Sequence, residues 1–329
     1  MKSIPLKNAA MIYGIPVSAL RALRGGHFAH VYAFERDGGK YILRLTPPNN
    51  VVDLEAQRSI LAWMAYLAGH GAYVPEPLLS QNGNLVEIIP TPEGEWLAVS
   101  FTQAKGILSE VLLLEGWDDN LFQTLGCSIG RMHAIARDYV PSNEVSYPDW
   151  ETGGNLFNRQ IENEAWLEDK QSRLLERIRT LPRSVEAYGL IHCDLHFGNF
   201  FVDVPGQTIT LIDFDDCAYG WFSMDIAVLL FDILVLYPGM DKDEFALNFL
   251  RSFLSGYLPE NPLPRFWIEQ LPLFLKLLEI NVYDMVAKYY PDDADEWIMK
   301  FMPGRKERLE KDLPYATLNF SFLMSLLES

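Results

Sequence analysis

The chain has 329 residues, 49% of them apolar and 22% charged, with 19 Phe, 15 Tyr and 8 Trp, which is enough for a packed core without disulfides or structural metal. A net charge of −17 argues against nucleic acid and anionic membrane as partners. Cys127, Cys193 and Cys217 form no CxxC pair, which argues against a disulfide framework or zinc site and fits a reducing compartment.

Taken in chain order, the first hundred residues read as mostly β. The N-terminal run MKSIPLKNAAMIYGIPV lacks the apolar stretch of a secretory signal. VYAFER (31–36) and KYILRL (40–45) flank Asp37-Gly38-Gly39, a hairpin signal. The spacing of Leu54, Ile60, Leu61, Met64 and Leu67 predicts a helix over 53–71. PEPLLS, LVEIIP and WLAVSFT follow as strands. From about residue 106 the pattern turns helical, over 120–139 and over 161–181, where Pro182 ends the run. GLIHCDLHFGNFFVD (189–203) and TITLIDFDD (208–216) are apolar segments that each run into a polar cluster. After Gly220 the chain reads as helical, over 243–258 and over 267–290. The greasiest run, 224–237, contains Asp225 and Asp232 and is too short to span a bilayer. A cytoplasmic location with no membrane partner is the expectation.

The chemistry concentrates in His192-Cys193-Asp194-Leu195-His196-Phe197-Gly198-Asn199 and in Asp213, fourteen residues after Asn199. One apolar strand leads into a loop with Asp194 and Asn199; the next delivers Asp213. Phosphoryl transfer needs such a set: one carboxylate to deprotonate the attacking hydroxyl, and a second carboxylate plus an amide oxygen to hold Mg2+ against the phosphates. Only eleven residues separate Asp213 from Asp225, too few for a segment that docks a peptide, so a small-molecule acceptor is expected.

This HxDxxxxN loop, followed by a strand and a DFD turn, resembles the protein-kinase-like fold, and more closely the aminoglycoside phosphotransferase and choline kinase superfamily. Leu195-His196 after Asp194 is the small-molecule form; protein kinases carry Lys in the place of His196. The resemblance implies an α+β, bilobal protein-kinase-like fold, with a β-rich lobe over 1–104 covering ATP and a larger, mostly helical lobe over 105–329 carrying catalysis and the acceptor. It assigns Asp194 as catalytic base, Asn199 and Asp213 as Mg2+ ligands, and Gly25 and Gly26 to a phosphate-covering loop. Backbone near Thr102 to Ala104 would meet adenine, and Asp225 would brace the catalytic loop. Arg44 stands where the family usually has Lys, with Glu55 as its expected carboxylate partner.

Residues 1–105 hold nine Lys/Arg and eight Asp/Glu, whereas 106–329 hold eighteen and thirty-six. A cationic acceptor suits the acidic part, with Asp215, Asp216, Glu279 and Asp284 as candidate contacts. Arg44 leaves room for a non-catalytic ATP-binding module, a pseudokinase, and the fold also accommodates a protein Ser/Thr kinase. The sequence leaves oligomeric state open.

Overall fold

The computed structural model describes residues 4–23, 29–48, 53–112, 116–153, 156–162, 164–291, 293 and 295–327. The chain divides into two compact units. The first comprises 1–105 together with 140–147 and 210–215; the second comprises the rest. Gly25 and Gly26, expected over the phosphates, lie outside the described residues.

The first unit is built on an antiparallel sheet. After helix α1 (Leu6–Ile12) come β1 (Arg21–Ala22), β2 (His30–Arg36) and β3 (Gly39–Thr46), then helix α2 (Leu54–Gly69), then β4 (Pro77–Leu78), β5 (Glu87–Thr91) and β6 (Gly94–Thr102). The sheet order is β1-β2-β3-β6-β4, with β5 also paired to β6. The β2–β3 hairpin turns at Asp37 and Gly38, both with positive φ (51° and 78°), the geometry a two-residue Asp-Gly turn requires. Tyr32, Phe34, Leu43, Leu45, Ile89 and Trp96 pack with α1 residues in one core cluster. Residues 140–147 belong here because Tyr147 Oη donates to Ser59 O at 2.7 Å and the Ser146 N–H to Ser59 Oγ at 3.1 Å, both on α2.

The second unit is mostly helical. It begins with β7 (Ile107–Leu108), α3 (Ser109–Leu112), α4 (Asp119–Asp138) and α5 (Ala165–Arg179). Four short strands follow in the chain, β8 (Tyr188–Ile191), β9 (Phe200–Asp203), β10 (Thr208–Leu211), whose last two residues count with the first unit, and β11 (Ala218–Trp221). The remainder is α6 (Phe222–Leu236), α7 (Lys242–Glu260), α8 (Arg265–Ile268), α9 (Leu271–Tyr289), α10 (Glu296–Phe301), α11 (Arg305–Glu310) and α12 (Phe320–Leu327). β8 pairs antiparallel with β11, and β7 with β9. The expected helix over 267–290 is broken between α8 and α9, because Pro272 lacks an N–H and sits in the first turn of α9. Helix α6 is buried on every face from Phe222 to Val235, as an apolar helix at the centre of a domain must be. α4 and α7 approach closely through glycines: a Cβ on Gly126 would collide with the Phe253 carbonyl, and one on Gly256 with that of Gln123. Among the described residues no helix is long and apolar enough to cross a membrane.

Candidate active site

In the second unit β8 delivers the loop 192–199, and α6 holds it. Asp225, fully buried near the start of α6, accepts the His192 N–H through Oδ2 and the Cys193 N–H through Oδ1, both at 2.8 Å. The same Oδ2 lies 3.0 Å from His133 Nε2. His133 is in turn 2.8 Å from Tyr257 Oη and stacked on Phe222. A carboxylate this deep is tolerated because its lone pairs are filled. Its two loop bonds hold Cys193 at φ 67°, a left-handed conformation that a non-glycine residue adopts only when its surroundings impose it. Burial pushes the Cys193 thiol well above its ordinary pKa, so it is an inert packing group.

The reactive face of the loop is set by Asn199. Its Nδ2 donates to Asp194 O and Asp194 Oδ2, each at 2.9 Å. The amide nitrogen is therefore held in place by Asp194. Asp194 keeps a side-chain exposure of 27%. His196 Nδ1 accepts the Gly198 N–H at 3.0 Å, and its Nε2 lies 3.6 Å from Asp194 Oδ2. Ser109 Oγ donates within the pair of carbonyls of Phe197 and Phe200, the latter at 3.0 Å. Asp232, one helical face along from Asp225, accepts the Phe197 N–H at 2.7 Å and the Trp297 indole N–H at 2.6 Å. Burial raises the Asp232 carboxyl above the usual range, against the opposing pull of His196 and these two donors.

In the first unit Arg44 projects from β3. Its Nη1 donates to both carboxylate oxygens of Asp215 (3.1 and 3.0 Å) and its Nη2 to Asp215 Oδ1 (3.1 Å) and Gln57 Oε1 (2.7 Å). The guanidinium lies over the Phe101 ring at 5.8 Å. Glu55 is not its partner. That carboxylate pairs with Arg58 at 3.2 Å and is 63% exposed. Residues two apart on a helix point about 200° apart, so turning Gln57 into the unit turns Glu55 out of it. Asp213, exposed, has φ 64° in the turn after β10. The Thr102 N–H, expected at adenine, is already donated to Glu76 O at 2.9 Å, and Thr102 Oγ1 accepts the Glu76 N–H. Ala104 N–H has no intramolecular acceptor among the described residues.

The expected acceptor carboxylates separate. Glu279 is 0% exposed, bonded to Lys276 and to Arg305 Nη1 at 2.7 Å; it holds α9 to α11 and offers no open face. Asp284 is also buried, 3.5 Å from Arg159 Nη2. Both sit on the long helix α9, which turns them into the core. Asp215 is engaged by Arg44, and Asp216 is exposed in the second unit. Sequence reasoning missed Gln57, Ser109 and Asp232. The one available signal was a second Asp seven residues after Asp225 inside an otherwise apolar run.

The family model described as the phosphotransferase enzyme family matches residues 19–263. An amicoumacin kinase of Bacillus subtilis (strain 168) is 31% identical over 326 residues, 97% of this chain and 95% of that protein. The solved structure of amicoumacin kinase hAmiN in complex with AMP-PNP, Ca2+ and Ami has a TM-score of 0.83 at 30% identity, covering 97% of this chain and 96% of that one. A microcompartment-associated aminopropanol kinase shares the fold, with a TM-score of 0.71 at 23% identity over 93% of this chain and 97% of that one. With a kinase-like α+β fold and a loop of this type, the chain belongs to the phosphotransferase enzyme family and is an ATP-dependent kinase of small molecules.

Proposed function

We propose that this kinase moves the γ-phosphate of ATP to a hydroxyl of amicoumacin or a closely similar hydroxylated amine, with Asp194 as base. The observation that carries the reading is the Asn199 amide, fixed by two bonds to Asp194. It presents a carboxylate and an amide oxygen side by side, the pair that in-line transfer uses. Similarity over nearly the whole chain, at about 30% identity, to amicoumacin kinases supports the acceptor class.

Asn199 Oδ1 and the Asp213 carboxylate are hard oxygen donors, too few to form a full cage. That set fits Mg2+, which keeps waters and takes phosphate oxygens as its remaining ligands. When bound, the ion neutralises charge on the phosphates. Asp194 orients the acceptor hydroxyl and takes its proton as the new O–P bond forms and the bond to ADP breaks. Arg44, held by Gln57 and Asp215, supplies the fixed cation for the non-transferred phosphates. Catalysis is then positioning and electrostatics.

The test is ATP consumption with Mg2+ and a panel of acceptors that includes amicoumacin, aminopropanol and kanamycin, with phosphorylated product identified by mass. Amicoumacin should accelerate consumption well above the rate in its absence, and Asp194→Asn should abolish that acceleration while nucleotide still binds. Equal rates with and without every acceptor would defeat the proposal.

A further inference from the structure

Asp232 sits in the middle of α6, buried, in a helix otherwise apolar from Ile226 to Val235. An apolar side chain would pack there without the cost of dehydrating a carboxylate. What the carboxylate adds is two directed acceptors, both used. Oδ2 takes the Phe197 N–H at 2.7 Å, and Oδ1 takes the Trp297 indole N–H at 2.6 Å. The 196–197 peptide is thus pinned from both sides, since its carbonyl, His196 O, accepts the Asn199 N–H at 3.0 Å. A tilt of that one peptide displaces Asn199, and with it the Asp194 side chain that Asn199 holds. On the other side, Trp297 opens α10, where its ring stacks on Phe301 at 5.2 Å and lies 6.3 Å from Phe231.

We propose that Asp232 is a positioning residue of the phosphotransfer reaction, tying the seat of α10 through Trp297 to the placement of Asn199 and Asp194 through the Phe197 amide. The inference rests on the reading of Asp194 as the base. Asp232→Asn keeps the volume but leaves one acceptor oxygen for two donors. It should lower kcat with amicoumacin roughly 10- to 100-fold, the scale of a small displacement at a reacting centre, while KM for ATP moves by less than about twofold. Trp297→Phe removes the indole N–H along with the five-membered ring while keeping an aromatic ring against Phe301; it should lower kcat by a smaller factor. The double variant should fall no further than Asp232→Asn, because both changes break one linkage.

Parent-like kcat in Asp232→Asn, or losses that multiply in the double variant, would overturn the proposal. Melting curves identify a variant that does not fold. Should Asp232→Asn be such a variant, Trp297→Phe decides alone: reduced kcat at unchanged ATP KM upholds the linkage, and parent-like kcat sinks it. Slow ATP hydrolysis without acceptor is measured in parallel. Asp194→Asn with undiminished amicoumacin-dependent consumption above that background would remove the base assignment itself, an outcome separate from any result at Asp232.

Discussion

At the scale of single residues, Arg44 shows why one base is not interchangeable with another. Its planar fork reaches Asp215 through both Nη atoms and Gln57 through one of them. A lysine ammonium, a single point of charge, cannot span both partners. Arg44→Lys should therefore raise KM for ATP about tenfold, the weight of one charge-assisted hydrogen bond, with less effect on kcat at saturation. Gln57→Leu should move KM in the same direction by a smaller factor, and Glu55→Gln should leave it where it is. Steady-state rates at saturating acceptor measure all three; a Glu55→Gln shift as large as that of Arg44→Lys would restore Glu55 as the partner. The position of Arg44 followed from the resemblance, which puts a cation on the strand KYILRL. Its partner was not readable, because the face Gln57 presents depends on where α2 begins, and a shift of two residues there exchanges the inner and outer faces.

At the scale of elements, α6 carries the catalytic loop. Its two acids, Asp225 and Asp232, occupy one helical face two turns apart and together take three loop amides. Asp225→Ala leaves the His192 and Cys193 N–H groups and the His133 ring without their acceptor in a dry interior. The cost should be about 3–5 kcal/mol, as when one partner of a buried charged network is removed, read as a lowered midpoint in denaturant. The packing of α4 on α7 is the other demanding element. Gly126 faces the Phe253 carbonyl so closely that a methyl group cannot enter without moving a helix. Gly126→Ala should lose about 1–3 kcal/mol, seen as a reduced Tm, and a stability equal to the parent would show that the helices separate freely. Motif loops were legible in the sequence because both ends of each are marked by short apolar strands. The braces behind them were not, since Asp225 and Asp232 meet residues some 30 positions away and only the folded helix brings them there. The same holds for Glu279 and Asp284: their letters suggested a charged wall, but their placement on α9 made them buried ion-pair partners.

At the scale of the whole molecule, the chain order of β-rich and helical stretches was readable, whereas the first unit combines 1–105 with two later segments. That 140–147 and 210–215 return to the first unit was not readable, because the contacts of Ser146 and Tyr147 with Ser59 span nearly ninety residues. The charge distribution, by contrast, is a property of sequence that survives folding unchanged. Residues 106–329 carry thirty-six acids against eighteen bases, while 1–105 are close to neutral. A field of that size attracts cations over distances comparable to the Debye length, about 10 Å at 0.1 M salt and about 3 Å at 1 M. KM for a cationic acceptor should therefore rise on the order of tenfold between those salt concentrations. KM for ATP, if Arg44 holds the phosphates as proposed, should change far less, and an uncharged analogue of the acceptor should be nearly indifferent to salt. The comparison of the charged and uncharged acceptors isolates the field from general salt effects on the enzyme. Equal salt dependence for both would mean that the acidity of residues 106–329 serves solubility rather than capture of the substrate.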